Sequence, residues 1–103
     1  MKIVRVQYTV RPECVAENIE NITNIAREIK NLNHQGIKYA AFLLPDGKTF
    51  MHFDHFENEE AHEVLTRLES FKKFAAELET SMLEAEPELD LLTLVAASYE
   101  VLG

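Results

Sequence analysis

A hairpin whose two arms are apolar on both sides most constrains what this chain can become. The segment from Gly36 to Phe56 reads GIKYAAFLLPDGKTFMHFDHF. At its centre, Pro45-Asp46-Gly47 combines a fixed φ, a turn-favouring carboxylate and a residue free to adopt φ > 0. Those are the makings of a type I turn closed by a glycine bulge. Pairing Leu44 with Lys48 puts Lys38, Ala40 and Phe42 on one face with Phe50, His52 and Asp54. The other face then carries Ile37, Tyr39, Ala41 and Leu43 with Thr49, Met51, Phe53 and His55. A sheet with one wet side alternates apolar and polar residues, whereas this hairpin calls for cover on both. A chain of 103 residues has helices enough for one face. A second subunit is therefore expected on the other, with Val6 and Phe50 as positions that would meet it.

Around the hairpin, Ile3 to Val10 alternates as a strand, with Val4, Val6, Tyr8 and Val10 on one face and Ile3, Arg5, Gln7 and Thr9 on the other. Arg11-Pro12 ends it, because proline donates nothing to a ladder and restricts the residue before it. Val15, Ile19, Ile22, Ala26 and Ile29 then form a helical stripe with Ile25 and Leu32, and Gly36 is expected as its left-handed terminator. Asn58 reads as an N-cap with Glu59 and Glu60 behind it. Ala61, Val64, Leu65 and Leu68 give the buried stripe of a short helix. A break at Glu69-Ser70, capped by Ser70, precedes a further helix facing inward through Phe71, Phe74, Ala75, Leu78 and Met82. Leu91 to Val101 reads as a last strand. The order β-α-β-β-α-β predicts an α+β, ferredoxin-like fold over residues 1–103 as a single domain, with a four-stranded antiparallel sheet and helices on one face.

Ten basic against eighteen acidic residues leave a net charge of −8, which argues against nucleic acid or anionic membrane as a partner. No membrane-length apolar run or secretory leader is read, so a cytoplasmic location is expected. The lone Cys14 has no internal disulfide partner and no sequence-adjacent base to activate it.

Several segments carry a family resemblance: a first strand ending in Arg11-Pro12, a long helix, the hairpin end FDHFENEEAHEVL, and the phrase SFKKFAAELETSMLEAEPEL before a final strand. Together they resemble the dimeric α/β-barrel superfamily, in particular its antibiotic-biosynthesis monooxygenase-like branch. Asp54, Phe56 and His62 stand where that branch places an acidic residue, an aromatic residue and a late histidine. The resemblance implies a homodimer in which two four-stranded sheets pack face to face. It also implies a ligand cleft in each subunit between sheet and helices, and cofactor-free oxygenation of a polycyclic phenol as an activity found in the superfamily. Haem-degrading members use an asparagine, a tryptophan and a histidine where this chain has Gln7, Leu65 and Ala75, so no haem is expected.

The densest chemical group is His52, Asp54, His55 and His62. On a strand His52 and Asp54 share a face and His55 points away. Two readings stay open: an acid/base pair, or a cross-strand ion pair of Asp54 with Lys38. Splitting His52 from His55 opposes a metal site. Arg5, Gln7 and Thr9 lie on a strand expected to be central, so they either pair with acids such as Glu17 or Glu28 or grip a ligand. The expected ligand-binding set is Arg5, Gln7, Tyr39, Phe53, His55, His62 and Phe71, with no catalytic residue assigned and no cofactor. The function this predicts is binding of a small, largely apolar organic molecule, with cofactor-free monooxygenation as its enzymatic form. The alternative is a non-enzymatic interaction or stress-related dimer whose cleft is filled by its own side chains.

Overall fold

Strand β1 (Lys2–Thr9) takes the extended form its alternation dictates, and Pro12 opens a short 3-10 turn that leads into helix α1 (Val15–Leu32). These and all later statements come from a computed structural model describing residues 1–102. Helix α1 turns Asn18, Asn21, Ile25 and Ile29 to the interior and leaves Ile19, Ala26 and Leu32 exposed. The stripe is thus rotated from the one expected, because two buried asparagines find partners: Asn18 Nδ2 donates to Tyr8 Oη (3.0 Å) and Asn21 Nδ2 to Glu77 Oε2 (2.6 Å). Asn33, at φ 54° and ψ 39°, terminates the helix in the left-handed conformation expected of Gly36. Gly36 instead provides room, since a Cβ there would lie 2.7 Å from Glu57 Oε2.

Strands β2 (Ile37–Leu43) and β3 (Thr49–Phe56) form the hairpin, with a register one residue away from the sequence reading. The Leu44 amide bonds to Thr49 O, not to Lys48. The turn decides this: Gly47 N donates back to Leu44 O (3.0 Å) with Gly47 at φ 77°, and the Asp46 carboxylate accepts from the amides of Lys48 (3.0 Å) and Thr49 (2.8 Å). Lys48 is thereby held in the loop, and a one-residue slip exchanges the faces of one arm relative to the other. Asp54 stands opposite Tyr39, and Lys38 opposite His55.

Asn58 caps helix α2 (Glu59–Arg67), its Oδ1 accepting from Ala61 N at 2.9 Å. The break before α3 (Glu69–Glu77) falls at Leu68, in extended backbone, two residues before the cap expected at Ser70. Glu28 of α1 takes over the capping role by accepting from both Ser70 N and Ser70 Oγ. This places an anion where the first-turn amides of α3 lack partners. The chain then widens into one π-helical turn, Leu78–Met82, before β4 (Glu88–Leu92). The strand expected through Val101 ends here because β1 runs out, Ile3 pairing with Leu92 one residue from its start.

The sheet order is β2-β3-β1-β4, antiparallel throughout. All three helices pack on one face, the ferredoxin-like arrangement. This inner face presents Val4, Val6 and Tyr8, together with Phe50, His52, Asp54 and Phe56, so Val6 and Phe50 meet the helices and not a second sheet. Phe56, Ile25 and Leu65 are essentially sealed from water, each burial contributing about 1.5–3 kcal/mol. On the outer face lie Ile3, Arg5, Gln7 and Thr9 with Met51, Phe53, His55, Lys38, Ala40 and Phe42. The segment after β4 borders that face, with Leu94, Val95 and Tyr99 beside Phe53 and His55. No helix among the described residues is long and apolar enough to cross a membrane.

Candidate functional site

A cavity of about 510 Å³ separates the inner sheet face from the helices. Its walls are Val4 and Val6 of β1, Leu65 of α2, Phe71 and Phe74 of α3, and Leu78 of the π turn. Leu89 and Leu91 of β4 border it while remaining 64% and 68% exposed, so that edge is open. The strand period places Tyr8, Tyr39, His52 and Asp54 on the same face and therefore on the same wall.

Those four, with Asn18, form an ordered polar floor. His52 is 4% exposed and has both ring nitrogens engaged, Nε2 with Tyr8 Oη at 2.7 Å and Nδ1 with Tyr39 Oη at 3.0 Å. With the Asn18 amide nitrogen donating to Tyr8 Oη, the Tyr8 hydroxyl hydrogen goes to His52 Nε2. A neutral imidazole then carries its proton on Nδ1 and donates it to Tyr39 Oη. The Tyr39 hydroxyl hydrogen is left free to donate into the cavity. Desolvation pulls the His52 pKa down to about 4, so the ring is neutral near pH 7. Burial pushes both phenols above their ordinary value, the Asn18 hydrogen bond partly offsetting this at Tyr8 and the Asp54 charge adding to it at Tyr39. Both tyrosines therefore act as neutral hydroxyls.

Asp54 differs from its neighbours. Its Oδ1 is buried without a hydrogen-bond partner, and desolvation raises its pKa from 3.8 to about 7. Neither reading drawn from the sequence holds for it. Lys38 pairs across from His55 on the outer face, and the two tyrosines occupy both nitrogens of His52. At one end of the cavity Lys2 Nζ donates to Glu59 Oε1 (2.8 Å) and to His62 Nδ1 (2.9 Å), and the His62 ring stacks on Phe56 at 4.6 Å. Burial first, and the Lys2 charge second, lower the His62 pKa.

Of the residues expected to contact a ligand, Tyr39, His62 and Phe71 line this cavity. Arg5, Gln7, Phe53 and His55 lie on the opposite side of the sheet, since strand alternation and the shifted hairpin register turn them away. There Arg5 is held by Asp90 at 2.8 Å and by Gln7, rather than by Glu17 or Glu28, and Thr9 bonds Thr49 at 2.8 Å. His55 and Phe53 border a separate outer groove of about 430 Å³. Sequence reasoning missed Asn18, Tyr8 and Lys2. The spacing Asn18, Asn21, Ile25, Ile29 is itself a helical face, and that was the available signal for Asn18. No cluster of three or more histidine, cysteine, aspartate or glutamate side chains placed to hold a metal occurs among the described residues.

No family model and no curated protein matches the sequence. Solved structures do match in shape. A crystal structure named antibiotic biosynthesis monooxygenase superposes with a TM-score of 0.78 at 13% identity, over 93% of this chain and 100% of the other. A candidate antibiotic biosynthesis monooxygenase from Bacteroides thetaiotaomicron reaches 0.79 at 16% identity, over 97% and 94%. The Rv0793 protein from Mycobacterium tuberculosis gives 0.78 at 12%, over 95% and 98%. The chain thus has the ferredoxin-like fold of the antibiotic-biosynthesis monooxygenase-like structures, as the sequence resemblance implied. At these identities the likeness is one of fold.

Proposed function

We propose that the protein binds a small, largely apolar organic molecule between its sheet and helices, and that it acts on it as a cofactor-independent monooxygenase. The observation carrying this is the cavity of about 510 Å³, apolar on its helix side and floored by oriented hydroxyls on its sheet side. Its size falls in the range of small-molecule sites, about 300–1,000 Å³, and its mix of apolar wall and few polar groups suits an aromatic ligand bearing oxygen. The apolar surface would supply affinity, while Tyr39 and His62 orient the oxygen. The names of the matching structures support the oxygenase form by analogy. For an anthrone-like substrate the balance closes without a cofactor: a CH₂ carbon becomes C=O, one atom of O₂ enters the product and the other leaves as water.

We further propose a cytoplasmic homodimer joined through the outer face, where Met51, Phe53 and Phe42 give an apolar surface with Phe42 half exposed. The open cavity disfavours the alternative in which the cleft is filled by its own side chains. Native mass spectrometry of protein purified from its host should show a carried ligand of small organic mass, and oxygen uptake should follow addition of anthrone- or quinol-like compounds. Uptake absent across such a panel, with the compounds bound, reduces the activity to binding. An apo mass together with no binding from the panel refutes the reading.

A further inference from the structure

Asp54 is the one ionisable group on the cavity floor that the hydroxyl network leaves unsatisfied. Resting on the cavity-binding reading above, we propose that Asp54 is a general base that takes a proton from a carbon acid, an enolisable ketone, whose oxygen is held by the Tyr39 hydroxyl. Asp54 and Tyr39 face each other directly across the β2–β3 ladder and line the same cavity. Opposed residues of this kind have Cβ atoms roughly 4.5–5.5 Å apart, so the two side chains leave the sheet as neighbours and a single bound molecule can meet both. The donor chain from Asn18 through Tyr8 and His52 ends on Tyr39 Oη, so Tyr39 is set as a donor toward a carbonyl. Asp54 Oδ1, buried and without a partner, is set as an acceptor.

The step balances within the site. The C–H bond beside the carbonyl breaks and its proton forms an O–H bond with the Asp54 carboxylate. The electron pair becomes the enolate C=C, and charge arriving on oxygen is met by the Tyr39 hydrogen bond. No oxidant takes part. A donor aimed at a developing enolate oxygen is an electrostatic device that strengthens as charge forms. A carboxylate whose pKa has been raised toward neutrality by an apolar site matches a base working near pH 7. His52 is excluded from the role of base because both its nitrogens are engaged.

The ionisable groups on the walls facing Asp54 are Lys2 and Tyr8 of β1, Tyr39 of β2, His52 of β3, His62 of α2 and Glu79 in the π turn. The two tyrosines and His52 stay neutral across pH 6 to 8, so the dependence in that window belongs to Asp54 and to His62 at the mouth.

The test uses 2-tetralone in D₂O, following loss of its C1 proton signals by NMR, with saturation-transfer difference reporting binding. Wild type should accelerate exchange over buffer, with a rate rising to a plateau above pH about 7. Asp54→Asn should lower the enzymatic rate by about 100-fold or more, in line with loss of a general base, while the saturation-transfer signal persists. Tyr39→Phe should weaken both binding and exchange. Equal exchange with wild type and D54N, or no acceleration by wild type while the ketone is bound, overturns the assignment of Asp54 and leaves the binding reading intact. A ketone that gives no transfer signal with wild type also overturns this inference, and a ligand carried in native mass spectra would then keep the broader reading.

Discussion

Burying Asp54 without a partner has a consequence for stability that can be worked out and measured separately from any ligand. Its folded pKa, about 7, lies above its ordinary value of 3.8. Between those two values the folded protein holds a proton that the unfolded chain has released. Folding therefore weakens as pH rises through this window, and the full penalty is present above pH 7. Replacement by asparagine keeps the shape, removes the charge and should stabilise the protein. At 1.36 kcal/mol per pKa unit, the shift of about 3 units corresponds to about 4 kcal/mol at pH 8, and to about 2 kcal/mol at pH 5, where the folded carboxyl stays protonated and only the cost of protonating it at that pH remains. The stability gain of Asp54→Asn over wild type should thus be about 2–3 kcal/mol larger at pH 8 than at pH 5. The double difference cancels His52, whose lowered pKa works in the opposite sense: neutral in the fold, it adds stability as pH rises from 4 through 6.5. Urea denaturation of both proteins at the two pH values, at one fixed protein concentration, measures it. A D54N effect that is the same at both pH values, or a destabilisation, refutes the account of Asp54 as a desolvated carboxyl.

Three further outcomes are expected. Tyr8→Phe removes the shared partner of Asn18 and His52 and should cost about 1–3 kcal/mol in urea denaturation, with a value near zero showing that the floor network contributes nothing. Phe53→Asp, on the outer face, should convert a dimer to a folded monomer in sedimentation velocity, and an undisturbed dimer would place the interface elsewhere. Val6→Asp faces the helices and the cavity, so circular dichroism should show loss of fold, and an intact folded variant would contradict the assignment of faces.

Val4, Val6 and Tyr8 were readable as one face of a strand because side chains alternate strictly along an extended backbone. Asn58 was readable as a cap because its partner lies three residues away. The same locality made the hairpin evident and its glycine at φ > 0 expected. Pairing register is different in kind. Asp46 accepting from both Lys48 and Thr49 adds one residue to the loop, and that single residue carries Phe53 and His55 away from Tyr39.

From local pattern alone came the element order, the ferredoxin-like class and the presence of polar groups on the hairpin strands, since each depends on neighbours within one or two turns of chain. Long-range contact settled the rest. Asn18 looks like a solvated helix side chain until Tyr8 is found beside it, and His52 looks like a base until tyrosines from two other strands take both its nitrogens. Asp54 looks like half of an ion pair until its ladder partner proves to be Tyr39. Burial and hydrogen bonding of these groups are properties of packed pairs, and the pairs exist only once separate segments have met.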